Sequence, residues 1–107
     1  SVVASMGNPG QSNYVAAKGA LNGLTKSIAL EVATRGITVN SISPGFIDTA
    51  MTAKLTDDQR SKITERIPMG RMGTGNDISS LVLFLLSNEA GYITGQNIHV
   101  NGGLFLA

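Results

Sequence analysis

The sequence predicts an α/β fold, the C-terminal portion of a doubly wound parallel sheet, and three observations carry that reading. Strand-like and helix-like segments alternate along the 107 residues in the order strand end, helix, strand, helical loop, helix, strand. This is the pattern of parallel strands joined by helical crossovers. Breaker clusters separate the segments: Gly7-Asn8-Pro9-Gly10, Pro44-Gly45 and Asn101-Gly102-Gly103. Only two complete strands are present, whereas a parallel sheet covered on both faces typically has roughly four or more. The chain therefore reads as a fragment.

Each element has its own signal. Ser1 to Met6 has neither an initiator Met nor the basic start of a leader, and reads as the end of a buried strand. Ser12 offers a side-chain oxygen to cap a helix running to about Thr34. Ala17, Ala20, Leu21, Leu24 and Ile28 follow helical spacing, and Gly36 stops the helix. Ala16, Gly19, Ala20 and Gly23 put small side chains on it, at a propensity cost for each Gly. Either another backbone approaches closely there, or the residues fit between helix and sheet within one subunit. The β-branched run Ile37 to Ile42 predicts a strand ended by Pro44-Gly45.

Phe46 to Met72 is longer than an ordinary connection and contains a capping box, Thr56-Asp57-Asp58-Gln59, ahead of Ile63. It predicts a lid with its own helix. Ile78, Leu81, Val82, Leu85 and Leu86 mark one face of a helix to about Ser87, with Leu83 and Phe84 adding apolar surface on the other side, so burial on two faces is expected. Gln96 to Val100 predicts the last strand.

Composition narrows the function classes. Eight basic and seven acidic residues leave a net charge of +1, so no global field points to nucleic acid or to an anionic membrane. The longest apolar run, Leu81 to Leu86, is far below the roughly 20 residues of a membrane span. With no cysteine there is no disulfide framework, thiolate metal site or Cys nucleophile, and no His and carboxylate set has metal-ligand spacing.

Chemistry concentrates near the start. Tyr14 and Lys18 stand four apart in the first helix and project from one face. An ammonium beside a phenol favours its ionised form, which suits a phenol for proton transfer. The spacing alone is common on amphipathic helices. Its neighbours are more specific: Ser1 lies 13 residues before Tyr14, Asn13 precedes it, Arg35-Gly36-Ile37-Thr38-Val39-Asn40 and Pro44-Gly45 follow, and the chain closes with Ile93-Thr94-Gly95-Gln96 and Val100-Asn101-Gly102-Gly103.

Along essentially its whole length this combination resembles the short-chain dehydrogenase/reductase family. Within that family it looks like the bacterial enzymes that reduce 3-oxoacyl thioesters of acyl-carrier protein in fatty-acid synthesis. The resemblance implies a Rossmann-like domain whose C-terminal half is residues 1–107, the N-terminal dinucleotide-binding half being absent. It implies catalytic roles for Ser1, Tyr14 and Lys18. Tyr14 would protonate the carbonyl oxygen, Ser1 would bond the same oxygen, and Lys18 would support the phenol and hold the nicotinamide ribose. Tyr14, Lys18, Pro44, Gly45, Ile47 and Thr49 would contact the cofactor. Gly45 would admit the ring, with the Ile47 main chain and the Thr49 hydroxyl near the carboxamide. Met51, Leu55, Ile63, Ile67 and Met69 would line an acyl lid or simply fill core. NADPH as cofactor, an acyl-carrier-protein thioester as substrate, a cytoplasmic homotetramer, and no nucleic-acid or membrane partner are implied in the same way. Other short-chain reductases, acting on acetoacetyl thioesters, sugars or steroids, and an inactive structural fragment remain open as alternatives.

Three further readings complete the expectations. Ser5 competes with Ser1 but stands only nine residues before Tyr14. Arg35, Lys54, Arg60, Lys62, Arg66 and Arg71 could meet an acidic carrier protein, although a solvated surface is the simpler reading. His99 is expected to be structural, and Gly70 to Gly75 is rejected as a cofactor fingerprint because no strand precedes it.

Overall fold

The computed structural model describes residues 12–107. The expected strand end at Ser1 to Met6, the turn at Gly7 to Gly10, and the candidates Ser1 and Ser5 lie outside the described residues. Helix α1 spans Ser12–Val32, strand β1 Ser41–Pro44, helix α2 Asp57–Glu65, helix α3 Gly75–Leu85 and strand β2 Asn97–Val100, with 3-10 turns at Ala33–Arg35, Thr52–Lys54 and Asn88–Ala90. Ser12 is itself helical in α1 and so is not its flanking cap. At the other end Gly36 closes the chain in the left-handed region, φ 73°, donating its N–H to the Ala33 carbonyl.

β1 and β2 pair in parallel, Ser41 opposite Asn97 through Pro44 opposite Val100. Crossing from one parallel strand to the next through helical segments is the α/β arrangement the sequence predicts. The N–H groups of Ser41 and Gly45 donate to the Gln96 and Val100 carbonyls at 2.8 and 2.9 Å. With period two, position 44 faces away from β2, so Pro44 costs this ladder nothing.

The strand begins later than expected and includes Pro44. Ahead of Ser41 the chain faces a bend instead of a strand, and side chains supplement a single backbone bond, from the Gly95 N–H to the Val39 carbonyl at 2.7 Å. The Val39 N–H donates to Thr94 Oγ1 at 3.0 Å, Asn40 Nδ2 donates to the Ile93 carbonyl at 3.0 Å, and the Gln96 N–H donates to Asn40 Oδ1 at 3.0 Å.

Helices lie on both faces of the pair. Ser41 reaches Asn22 of α1, while Ile42, on the opposite face by strand alternation, borders an apolar cavity of about 300 Å³ with Val82, Leu85 and Leu86 from the α3 side. Thr56 caps α2 with the expected reciprocal bonds to Gln59. A second capping box starts α3: Thr74 and Asp77 bond each other's backbone N–H, which moves that helix start from Ile78 to Gly75.

The core among the described residues is small. Ala29, Ile67, Met72 and Ala90 are its buried apolar members, joined by Thr25 and Ser43. No residue of α3 is buried, and Leu83 and Leu86 are 69% and 78% exposed, so the two-faced burial expected of this helix does not occur among the described residues. The lid residues divide: Ile67 is core, while Met51 and Met69 are exposed.

Candidate active site

The first turns of α1 place Tyr14 and Lys18 one above the other, with the Lys18 ammonium 5.6 Å from the centre of the Tyr14 ring. The phenol is 43% exposed and accessible to a ligand. Across from them β1 ends at Pro44 and turns at Gly45. A cavity of about 350 Å³ is lined by Tyr14 and Lys18 on one side and by Pro44 and Gly45 on the other. Four of the expected site residues, drawn from two segments of the chain, thus share one surface.

Ile47 and Thr49 lie beyond the lining of this cavity. Ile47 forms an isolated parallel bridge with Gly73, in which Gly73 donates to the Phe46 carbonyl at 2.9 Å and accepts from the Asp48 N–H at 2.8 Å. That geometry leaves the Ile47 N–H and carbonyl out of the bridge, as a main-chain contact to a ligand requires. Thr49 is exposed, and its backbone is engaged in the turn that follows: its N–H donates to Thr52 Oγ1 at 2.8 Å and its carbonyl accepts from the Ala53 N–H at 3.1 Å.

Packing within the chain also requires glycine at position 45. A Cβ there would lie 2.6 Å from Asn101 Cβ and 2.8 Å from Asn101 Cα, so its missing side chain admits the turn after β2. That turn is itself wedged, since a Cβ at Gly102, φ 61°, would stand 2.9 Å from Ile67 Cγ2.

Salt bridges fasten the segment between β1 and α3. Arg60 on α2 donates to Asp48 Oδ1 at 3.3 Å and to the Thr52 carbonyl at 3.0 Å. The Thr52 hydroxyl, then Arg60, hold the Asp48 carboxyl below its ordinary range. Arg71 pairs with Asp77 at 2.9 Å. That bond, followed by the Thr74 backbone N–H, holds Asp77 at about 2.

Four of the six basic residues named as possible carrier-protein contacts have partners within the described residues. Arg60, Arg71 and Lys62 are matched by Asp48, Asp77 and Asp58, and Arg66 lies 6.0 Å from the Phe46 ring centre. His99 lies on β2 with its ring 4.9 Å from that of Phe105, and its buried Nδ1 has no hydrogen-bond partner among the described residues.

Sequence reasoning missed a polar cluster beneath the cavity. Ser41, Ser43 and Asn22 line it beside Lys18, and Asn97 on β2 joins the two serines. The available signal was the Tyr14, Lys18, Asn22 progression at four-residue steps.

A tyrosine and a lysine one turn apart on a helix face a Pro-Gly turn at the C-terminal end of a parallel strand, the arrangement expected from the resemblance to short-chain dehydrogenases/reductases. The chain belongs to that family: the family described as enoyl-(acyl carrier protein) reductase matches residues 1–105. Among curated proteins it is 58% identical over 106 residues to the 3-oxoacyl-(acyl-carrier-protein) reductase of Salmonella typhimurium, covering 99% of this chain and 43% of that protein. It is 58% identical over 107 residues to the enzyme of that name from Haemophilus influenzae, covering 100% and 44%, and 57% identical over 106 residues to that of Escherichia coli, covering 99% and 43%. The chain therefore spans less than half the length of these relatives. No helix among the described residues is long and apolar enough to cross a membrane.

Proposed function

We propose that this chain is the C-terminal half of an NADPH-dependent 3-oxoacyl-(acyl-carrier-protein) reductase that works as a cytoplasmic homotetramer, its dinucleotide-binding half lying in the remainder of the full-length protein. The supporting observation is the cavity that joins Tyr14 and Lys18 to Pro44 and Gly45, and the relatives' names fit the same chemistry. When bound, the nicotinamide supplies the hydride. Tyr14 Oη donates a proton to the substrate carbonyl oxygen, so that the alcohol leaves neutral. Ser1 bonds the same oxygen. Lys18 holds its positive charge beside the phenol ring and would bind ribose hydroxyls, while the unbridged Ile47 main chain and the Thr49 hydroxyl would be available to the carboxamide. Exposed Met51 and Met69 give the lid flexible apolar side chains suited to acyl chains of several lengths.

The family description and the relatives' names differ in the bond they mention, a C=C in one and a 3-oxo group in the other. A full-length enzyme assayed with NADPH on 3-oxoacyl and enoyl thioesters separates the two. Reduction of the 3-oxo substrate is expected, and Tyr14→Phe is expected to lower it by about 10²-fold or more. More than about a tenth of wild-type activity in that variant refutes the role given to Tyr14.

A further inference from the structure

The polar cluster under the cavity has a direction. Ser41 Oγ lies 3.1 Å from Asn97 Oδ1 and 3.3 Å from Asn22 Oδ1, while Ser43 Oγ donates to Asn97 Oδ1 at 2.8 Å. Ser41 carries one hydroxyl proton and cannot donate to both amide oxygens at once. Asn97 Oδ1 has two lone pairs and accepts from both serines. The longer contact is satisfied when the Asn22 amide turns by half a rotation and donates its Nδ2–H to Ser41 Oγ. The chain runs from Asn22 Nδ2–H to Ser41 Oγ, from Ser41 Oγ–H to Asn97 Oδ1, and from Ser43 Oγ–H to the same oxygen.

This chain is the one side-chain hydrogen bond joining α1 to the sheet among the described residues. It sits one turn past Lys18 and two past Tyr14, about 6 and 12 Å along the helix axis. Asn22, Lys18 and Tyr14 lie on one stripe of the helix and border one cavity.

We infer that Asn22 is a positioning residue: through Ser41 and Asn97 it fixes the rotation and height of the α1 face that presents Lys18 to the nicotinamide ribose. The inference rests on the cofactor role proposed above for Lys18. Removing the Asn22 amide leaves Ser41 its acceptor in Asn97, so the fold loses no buried donor while the helix loses its tether.

The test uses the full-length enzyme with Asn22→Leu, Ser41→Ala, Ser41→Thr and the double variant Asn22→Leu/Ser41→Ala. NADPH affinity is read by direct titration, alongside steady-state KM and kcat and thermal stability. Asn22→Leu and Ser41→Ala are each expected to weaken NADPH binding about tenfold, since small displacements of positioning groups are costly. The double variant should be no weaker than either single one. Ser41→Thr, which keeps the hydroxyl, should bind as wild type does. NADPH affinity within about twofold of wild type in either single variant, or additive losses in the double variant, overturns the inference. Wild-type-like activity in Tyr14→Phe with weakened NADPH binding in Asn22→Leu would instead overturn the proton-donor role and leave the tether standing.

Discussion

Replacing Gly45 by alanine strikes the joint between the cavity and the end of the sheet. The new methyl would lie 2.6 Å from Asn101 Cβ and 2.8 Å from Asn101 Cα, against about 3.5–4.0 Å for carbon atoms in contact, so roughly 1 Å must be found. Asn101 is poorly placed to supply it. Its Nδ2 donates to the Phe105 carbonyl at 2.9 Å, its Oδ1 accepts from the Gly103 N–H at 2.9 Å, and Gly102 behind it already abuts Ile67. The displacement falls on Pro44 and Gly45 and stretches the 2.9 Å bond from the Gly45 N–H to the Val100 carbonyl. Overpacking costs about 1–3 kcal/mol, and loss of that bond adds about 0.5–1.5 kcal/mol. Urea unfolding of the full-length protein should therefore show Gly45→Ala destabilised by about 2–4 kcal/mol, with weaker NADPH binding because Gly45 borders the cavity. Gly75→Ala is the control: nothing lies within 4 Å of its added carbon, and it sits in the first turn of α3. A loss below about 0.5 kcal/mol for Gly45→Ala would refute the reasoning, because the turn after β2 would then be free to move.

Two other perturbations probe the charges. Asp77 has its carboxyl held at about 2 in the folded chain against an ordinary 3.8, so the stability it contributes is present above that ordinary value and is lost as pH falls through about 2. Asp77→Asn should lower the urea midpoint at neutral pH, and the gap from wild type should close on acidification through this window; a gap independent of pH contradicts the pairing with Arg71. Lys18→Met should weaken NADPH binding by about tenfold and lower kcat in the full-length enzyme, and unchanged titration and rate would reduce the Tyr14–Lys18 pair to a helix face.

The parts of this fold legible in sequence are those encoded locally. Thr56 and Gln59 announce α2 because a capping box closes within four residues, and Gly36 announces the end of α1 because a left-handed residue is needed there. The same logic applied to Thr74 and Asp77 places the start of α3, but the Gly73-Thr74-Gly75 run masks the cap with residues that normally mark a loop. β1 was displaced because strand limits depend on what lies opposite. Ile37 to Asn40 has strand composition but faces the Thr94-Gly95-Gln96 bend, which bonds to it through one backbone contact and the side chains of Thr94 and Asn40. The Asn22, Ser41 and Asn97 chain was hidden for a related reason: its members lie on three elements and meet only once Ser41 stands opposite Asn97.

Gly19 and Gly23 show what local reasoning leaves open. Each costs α1 about 0.8–1.0 kcal/mol relative to alanine. Nothing among the described residues lies within 4 Å of the carbon either would gain, so neither of the two readings offered for them is met by residues 12–107. Leu21, Leu24 and Leu30 on the same helix are 51%, 56% and 81% exposed, and Leu83 and Leu86 extend the same condition to α3. Glycine at a propensity cost is explained by close approach of another backbone, and exposed leucines are explained by apolar cover. Both explanations require polypeptide beyond residues 12–107. The proposed dinucleotide-binding half and the proposed partner subunits would supply it, which makes the two uncovered helices part of the same argument as the incomplete site.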